Sequence, residues 1–246
     1  MRIKSAAISW RYIPPGVEPH DFEPTPKEMV ALTGADLFVY NGFGFEKWAE
    51  RAAGMLDGQK THIVNTSEKM DPVDEDPHVW LNPLLAKRQA EAIKDALVEV
   101  DPDNSETYKE NFHKLAQQFD ELDRKMQEIT ENAERTEIIV SHAAFGHLTK
   151  QYGLKQLSIS GLSPSVEPSQ KELQSIIDYA RENEIKFIMF DAFVNSRLAD
   201  VVKSEIGAEE LRLDSLEIMT KEQLEQGENY FSIMKKNIDN LEKALN

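Results

Sequence analysis

Four side chains in this sequence have the type and setting to hold a divalent transition metal: His20, His78, His142 and Asp191. Imidazole nitrogen and carboxylate oxygen are the donors zinc takes when thiolate is absent. The chain contains no Cys, so thiolate sites, disulfides and thiol nucleophiles are excluded together. Each candidate stands where its neighbours restrain it. His20 lies in IPPGVEPHDFEPTP, residues 13–26, where five prolines stiffen a loop without helix or strand periodicity and Glu18, Asp21 and Glu23 surround the imidazole with negative charge. His78 ends an acidic, turn-rich run at residues 66–77 and is followed by the apolar Val79, Trp80 and Leu81. His142 follows the strand-like Glu137–Val140, and Asp191 follows FIMF, residues 187–190. Ligands of open parallel sheets bind beyond the carboxyl ends of the strands, where both of these residues fall. Two donors from each half of the chain, meeting in a crevice, would make a tetrahedral site.

A solitary histidine is more often a hydrogen-bonded surface or core residue than a ligand. The other histidines read that way: His62 lies within a strand, His113 on the polar side of a long helix, and His147 on a helix beyond His142. None is assigned to the site. A catalytic reading finds little support, because HExxH, GxSxG, GxxxxGK and GxGxxG are all absent and Gly42-Phe43-Gly44 lacks a third glycine. Acidic pairs such as Glu209-Glu210 read as solvated surface.

The element that must space the two halves is the stretch 103–132. Its apolar residues Tyr108, Phe112, Leu115, Phe119, Leu122, Met126 and Ile129 form one stripe at helical spacing, with neither Pro nor Gly to interrupt it. Asp103, three residues before Glu106, predicts the start after Pro102. The stripe also suits a core helix of one large domain or half of a coiled coil. Before it, a helix at 26–35 capped by Thr25, a strand at 37–40, a helix at 45–56, a strand at 61–64 and a helix at 84–100 alternate in the βαβ manner of a parallel sheet. After it come a strand at 137–140, a helix at 143–152, a strand at 157–159, a helix at 170–183 capped by Ser169, a strand at 187–190, a helix at 197–206, a strand at 211–213 and one terminal helix at 221–245. The fold class is therefore α/β, two lobes with parallel-type sheets joined by one long rigid linker helix. The division reads as residues 1–102, a linker at 103–133, and residues 134–246.

A chain of 246 residues accommodates two such lobes, and 40% hydrophobic content argues for folded cores. The formal net charge of -16 repels nucleic acid and attracts cations. No run approaches the ~18 apolar residues of a membrane span, and MRIKSAAISWRY, the first twelve residues, lacks the apolar core of a signal peptide.

The motifs PPGVEPHDFEPTP, DPHVWLNP, IIVSHAAFGHL, GLSPSVEPS and GENYFSIMKKNIDNLEKAL together resemble the zinc-specific solute-binding proteins of bacterial ABC importers, of the ZnuA and AdcA type. The resemblance runs in order from about residue 13 to the C-terminus. It implies the metal-type periplasmic-binding-protein fold, with two lobes bridged by a rigid helix. It also implies a metal held by histidines corresponding to His20, His78 and His142, with a fourth, carboxylate ligand corresponding to Asp191. The manganese branch of the family tends to carry Glu where this chain has His142, so zinc is the expected cargo. The implied partner is the membrane permease of an ABC importer, the implied location is extracytoplasmic, and the protein is expected to be a non-enzymatic monomer. A manganese receptor, a surface adhesin of the same family and a zinc hydrolase remain as alternatives.

Two departures from the family pattern carry expectations of their own. Only twelve poorly matching residues precede residue 13, where relatives carry an exported segment and then a strand and helix, so the chain reads as N-terminally shortened and its first lobe as short of stability. The loop at 66–77 is short and acidic, without the His-rich insertion of many zinc-type relatives.

Overall fold

The structure, a computed structural model, describes residues 17, 19–71, 73–191 and 197–246. The start of the proline-rich loop, Glu18 within it, Pro72 of the acidic loop and the segment after Asp191 lie outside the described residues. The chain divides into two compact units, Met1–Asp120 and Glu121–Asn246.

In the first unit, α1 (Pro26–Leu32) begins with the expected cap: the Thr25 hydroxyl accepts the Glu28 N–H, and the Glu28 carboxylate in turn accepts the Thr25 N–H. Strand β1 (Leu37–Tyr40) leads through α2 (Lys47–Leu56) to β2 (His62–Asn65), and the two strands pair in parallel from Leu37 opposite His62 to Tyr40 opposite Asn65. The apolar face of α2 supplies Trp48, Ala49, Ala52 and Leu56 to a core completed by Leu32 and Phe38, so this stripe packs the sheet and is no ligand surface. Helix α3 (Pro83–Val100), whose first N–H groups are taken by the Asn82 side chain, packs against both strands.

Helix α4 (Ser105–Glu131) is continuous over 27 residues. It starts two residues after Asp103, behind a 3-10 turn at Pro102–Asn104 in which Asp101 receives hydrogen bonds from Asn104 and from the Tyr108 hydroxyl. Its residues up to Asp120 belong to the first unit and the rest to the second. The apolar stripe is unevenly buried: Phe119, Leu122, Met126 and Ile129 are core residues, while Leu115 is 37% exposed.

The second unit is built on a four-stranded parallel sheet of β3 (Glu137–Val140), β4 (Lys155–Ser158), β5 (Phe187–Phe190) and β6 (Glu209–Arg212), in the order β4-β3-β5-β6. Ile139, Ile188 and Phe190 pack with Ile177 and Ala180 of α6 (Gln170–Glu182) and with Ala199 and Val202 of α7 (Arg197–Ile206). Strand alternation turns Ile138, Val140 and Met189, also buried, to the opposite face. A parallel sheet covered on both faces requires such continuous apolar strands. The short α5 (Gly146–Gln151) packs against β4 and begins three residues later than expected.

The C-terminal segment departs from the sequence expectation of one helix. It forms α8 (Lys221–Glu225) and α9 (Tyr230–Leu245). Gly227 adopts a φ of 69°, which ends α8, and the Asn229 side chain then accepts from Phe231 N and Ser232 N to start a new helix. Two local stop and start signals outweigh the longer amphipathic pattern.

Candidate metal centre

Two clusters of possible ligands take shape, and each is described by itself. In the first, His20 sits in a 3-10 turn at Pro19–Asp21, and His78 immediately precedes the turn Val79–Leu81. Their Nε2 atoms stand 3.3 Å apart. The edge of a zinc tetrahedron with Zn–N bonds of ~2.0–2.1 Å is about 3.3 Å, so the spacing is that of two ligands on one ion. His78 is fully buried and is held twice by Asp76, whose Oδ1 lies 2.6 Å from Nδ1 and accepts the His78 backbone N–H at 2.9 Å. A carboxylate only accepts, so Nδ1 carries the proton and Nε2 presents its lone pair. Asn41, at the end of β1, donates to the Pro77 carbonyl at 2.8 Å, while Gln89 of α3 donates to Asn41 Oδ1 and to Thr66 Oγ1. The loop before His78 is thereby tied to the sheet and to α3. Phe45 makes edge contacts with His20, His78 and Trp80, and Trp80 with His78, so the imidazoles stand in an aromatic wall.

In the second cluster, β3 delivers His142 and the adjacent β5 delivers Asp191. The sheet order places β4 on one side of β3 and β5 on the other, so the connections run outward in opposite senses from these two parallel strands. That switch point is where ligands of open α/β sheets bind. The Ser141 hydroxyl accepts the Asp191 N–H at 3.1 Å, coupling the two strand ends. Glu217, beyond the end of β6, brings Oε1 to 3.0 Å from His142 Nε2. His142, Asp191 and Glu217 each offer a ligand atom, and these atoms lie within 4.8 Å of one another.

The loop bearing Glu217 is fixed by Asp214. Its carboxylate accepts from Gln223 Nε2 at 2.7 Å, from Leu216 N at 2.9 Å and from Arg212 Nη2 at 3.3 Å, and its own N–H donates to Asn237 of α9. Leu216 takes a φ of 58°, a left-handed conformation uncommon for a branched side chain, which turns the chain so that Glu217 follows. Asp191 accepts the Ser215 N–H at Oδ2. Burial raises the Asp191 carboxyl above the ordinary carboxylate range. The His142 imidazole opposes that shift, Glu217 and Asp214 add to it, and the Ser215 N–H pulls against it. Two carboxylates beside one buried imidazole form a strained arrangement that a divalent cation would relieve.

The structure thus brings His20 together with His78, and His142 together with Asp191. Sequence reasoning passed over Asp76 and Glu217. The strand-end rule that pointed to His142 and Asp191 also draws attention to the loop after β6, but Glu217 lies five residues beyond that strand and the rule alone does not single it out. Asp76, two residues before His78, was read as part of an acidic turn. The histidines left unassigned occupy other settings: His62 is 3.6 Å from Glu99, His113 contacts Gln117 one turn along α4, and His147 is buried on α5. Among the described residues, no helix is long and apolar enough to cross a membrane.

Comparison with known proteins gives a consistent picture. A family model described as "Zinc-uptake complex component A periplasmic", ZnuA, matches residues 11–244. The high-affinity zinc uptake system protein ZnuA of Bacillus subtilis is 39% identical over an alignment of 252 residues, covering 95% of this chain and 79% of that protein. The zinc-binding lipoprotein AdcA of Streptococcus pneumoniae is 34% identical over 93% of this chain, which spans 50% of AdcA. Among solved structures, the Zn(II)-bound ZnuA-like domain of that AdcA superposes with a TM-score of 0.83 at 36% identity, covering 95% of this chain and 89% of the domain.

Proposed function

This chain belongs to the ZnuA family of zinc-uptake components, and on that premise we propose that it is a zinc-capturing receptor that delivers Zn2+ as cargo to the permease of an ABC-type importer. Its ligands are His20, His78 and His142, with one carboxylate, from Asp191 or Glu217, in the fourth position. It acts outside the cytoplasm, as a monomer, and makes or breaks no covalent bond. The observation that carries this reading is the 3.3 Å separation of the His20 and His78 Nε2 atoms, the edge length of a zinc tetrahedron. The 3.0 Å contact between His142 Nε2 and Glu217 Oε1 supports it as a second edge, between nitrogen and oxygen.

The donor types explain the cargo. Three imidazoles are borderline-soft ligands that suit zinc better than manganese or calcium, which favour oxygen-rich shells. A shell filled by protein donors leaves no position for an activated water, as a receptor requires and a hydrolase does not allow. Ligands must be deprotonated to bind, so zinc exchanges with protons, and any local rise in acidity or displacement of one donor at the permease favours release. The test is uptake of radioactive zinc by cells deleted for their own zinc receptor and supplied with the matching permease. Wild-type protein should restore uptake, and His78→Ala and His142→Ala should not. Uptake restored equally by both variants would contradict the reading.

A further inference from the structure

We infer that Asp76 is the positioning residue of the metal centre, fixing the tautomer and the direction of His78 before any ion arrives. The inference rests on the receptor reading for its consequence in zinc affinity, and on geometry alone for its effect on the imidazole.

Asp76 is 2% exposed and His78 is fully buried, so water does not compete for this contact. A single oxygen, Oδ1, engages both the backbone N–H and the ring Nδ1 of His78. Such a pair of contacts fixes two things together. The backbone bond sets where the residue starts, and the ring bond sets how the imidazole is rotated about its side-chain torsions. With Nδ1 committed to the carboxylate, Nε2 is left as the acceptor and faces His20. The opposite tautomer would aim an N–H at the place an ion must occupy.

The backbone around Asp76 is shaped for this task. Asp74 and Glu75, immediately before it, adopt φ angles of 48° and 62°, an unfavourable left-handed pair for residues with side chains. The Asp76 N–H donates to the Val73 carbonyl at 2.7 Å, closing the turn. On the other side, the Pro77 carbonyl is held by Asn41. The acidic run at 66–77 therefore ends in a tight turn that directs one carboxylate inward, while Asp74 and Glu75 stay exposed. An imidazole ligand oriented by a carboxylate is also more basic toward metal, and loss of such a partner costs about 10–100-fold in affinity.

The experiment compares wild type with Asp76→Asn, Asp76→Glu and His78→Ala. Nitrogen-15 NMR of the metal-free proteins reads the His78 tautomer, and competition with a chelator of known affinity reads zinc binding. In wild type His78 should be a single Nδ1–H tautomer. In Asp76→Asn, whose side-chain amide can donate to Nδ1 as readily as accept from it, that tautomer should be lost and zinc affinity should fall about 10–100-fold. Asp76→Glu, which keeps the carboxylate, should recover the tautomer and part of the affinity. Affinity that falls with the tautomer unchanged, or a tautomer that changes with affinity unchanged, overturns the inference. So does a wild-type His78 protonated at Nε2, a result that decides even if the variants do not fold. His78→Ala separates the two readings: if it binds zinc as tightly as wild type, the receptor assignment of this residue fails, whatever Asp76 does to the ring.

Discussion

His142 Nε2 and Glu217 Oε1 stand 3.0 Å apart, although 75 residues separate them and they follow different strands. The imidazole leaves β3 and the carboxylate arrives on the loop beyond β6, anchored by Asp214 to α9 and to Gln223. A contact between two buried side chains, one at a strand end and one on an anchored loop, makes Glu217 the stronger carboxylate candidate of the two. Asp191 already commits one oxygen to the Ser215 N–H.

Replacing the carboxylates singly separates their roles. Glu217→Gln should weaken zinc binding by more than the ~100-fold that marks the upper range for residues outside the ligand set, and Asp191→Asn should stay within about 10–100-fold. Titration calorimetry against a competing chelator measures both. The reverse order would make Asp191 the principal oxygen donor.

The raised Asp191 carboxyl has a consequence for stability. A carboxyl that holds its proton more tightly when folded contributes stability at low pH, and that contribution is lost as pH rises above the unfolded value of about 3.9. At neutral pH the metal-free protein therefore bears the cost of this buried carboxyl, whether as a desolvated charge or as a proton taken up on folding, and Asp191→Asn removes it. The variant should melt higher than wild type without metal at pH 7, by about 2–4 °C for each ~1 kcal/mol relieved. The gain should vanish near pH 3. A metal-free variant that melts lower than wild type at pH 7 would contradict this.

Zinc affinity itself should fall as pH drops through the range where imidazoles protonate, about 6.5 when unperturbed. With the three proposed histidine ligands, metal competes with protons at each, so the slope of log affinity against pH should exceed one below that range. A flat profile between pH 5 and 7 would exclude the histidines as ligands.

The two halves of the α4 stripe should differ in energetic weight. Leu122 is fully buried, so Leu122→Ala should cost ~2–5 kcal/mol. Leu115 is 37% exposed, and Leu115→Ala should remain near ~0.5 kcal/mol. Denaturant unfolding measures both.

The helix has a further consequence for motion. From Ser105 to Glu131 it contains neither Pro nor Gly, and sharp bends in helices arise at such residues or at bulges. Scattering curves with and without zinc should nearly superimpose. A large compaction on adding metal would contradict a rigid helix.

Most of the fold was legible because local signals agreed with one another. Leu37–Tyr40, Glu137–Val140 and Phe187–Phe190 are short, largely apolar runs, Arg197–Ile206 is an amphipathic stretch stopped by Gly207, and Thr25 and Ser169 each stand three residues before a Glu, so their boundaries were readable. The split between α8 and α9 was missed because amphipathic spacing runs across Gly227 and Asn229, and only the backbone angle at Gly227 and the cap at Asn229 show that the helix stops and restarts. The strand-end rule reached His142 and Asp191 because each directly follows its strand. Glu217 lies five residues past β6, where the direction of a side chain depends on the left-handed turn at Leu216 and the Asp214 anchor, neither of which has a spacing to read. Asp76 was hidden for a similar reason: in an acidic run, burial alone distinguishes the one carboxylate that turns inward.

The most direct test of a zinc receptor is titration of metal-free protein with Zn2+, Mn2+ and Ca2+, followed by the fluorescence of Trp80, whose ring lies 5.2 Å from that of His78. One Zn2+ per chain should bind with a sharp end point, Mn2+ should bind more weakly, Ca2+ should leave the signal unchanged, and His142→Ala should abolish the sharp zinc end point. Absence of zinc binding, or zinc binding unaffected by loss of His142, would contradict the account.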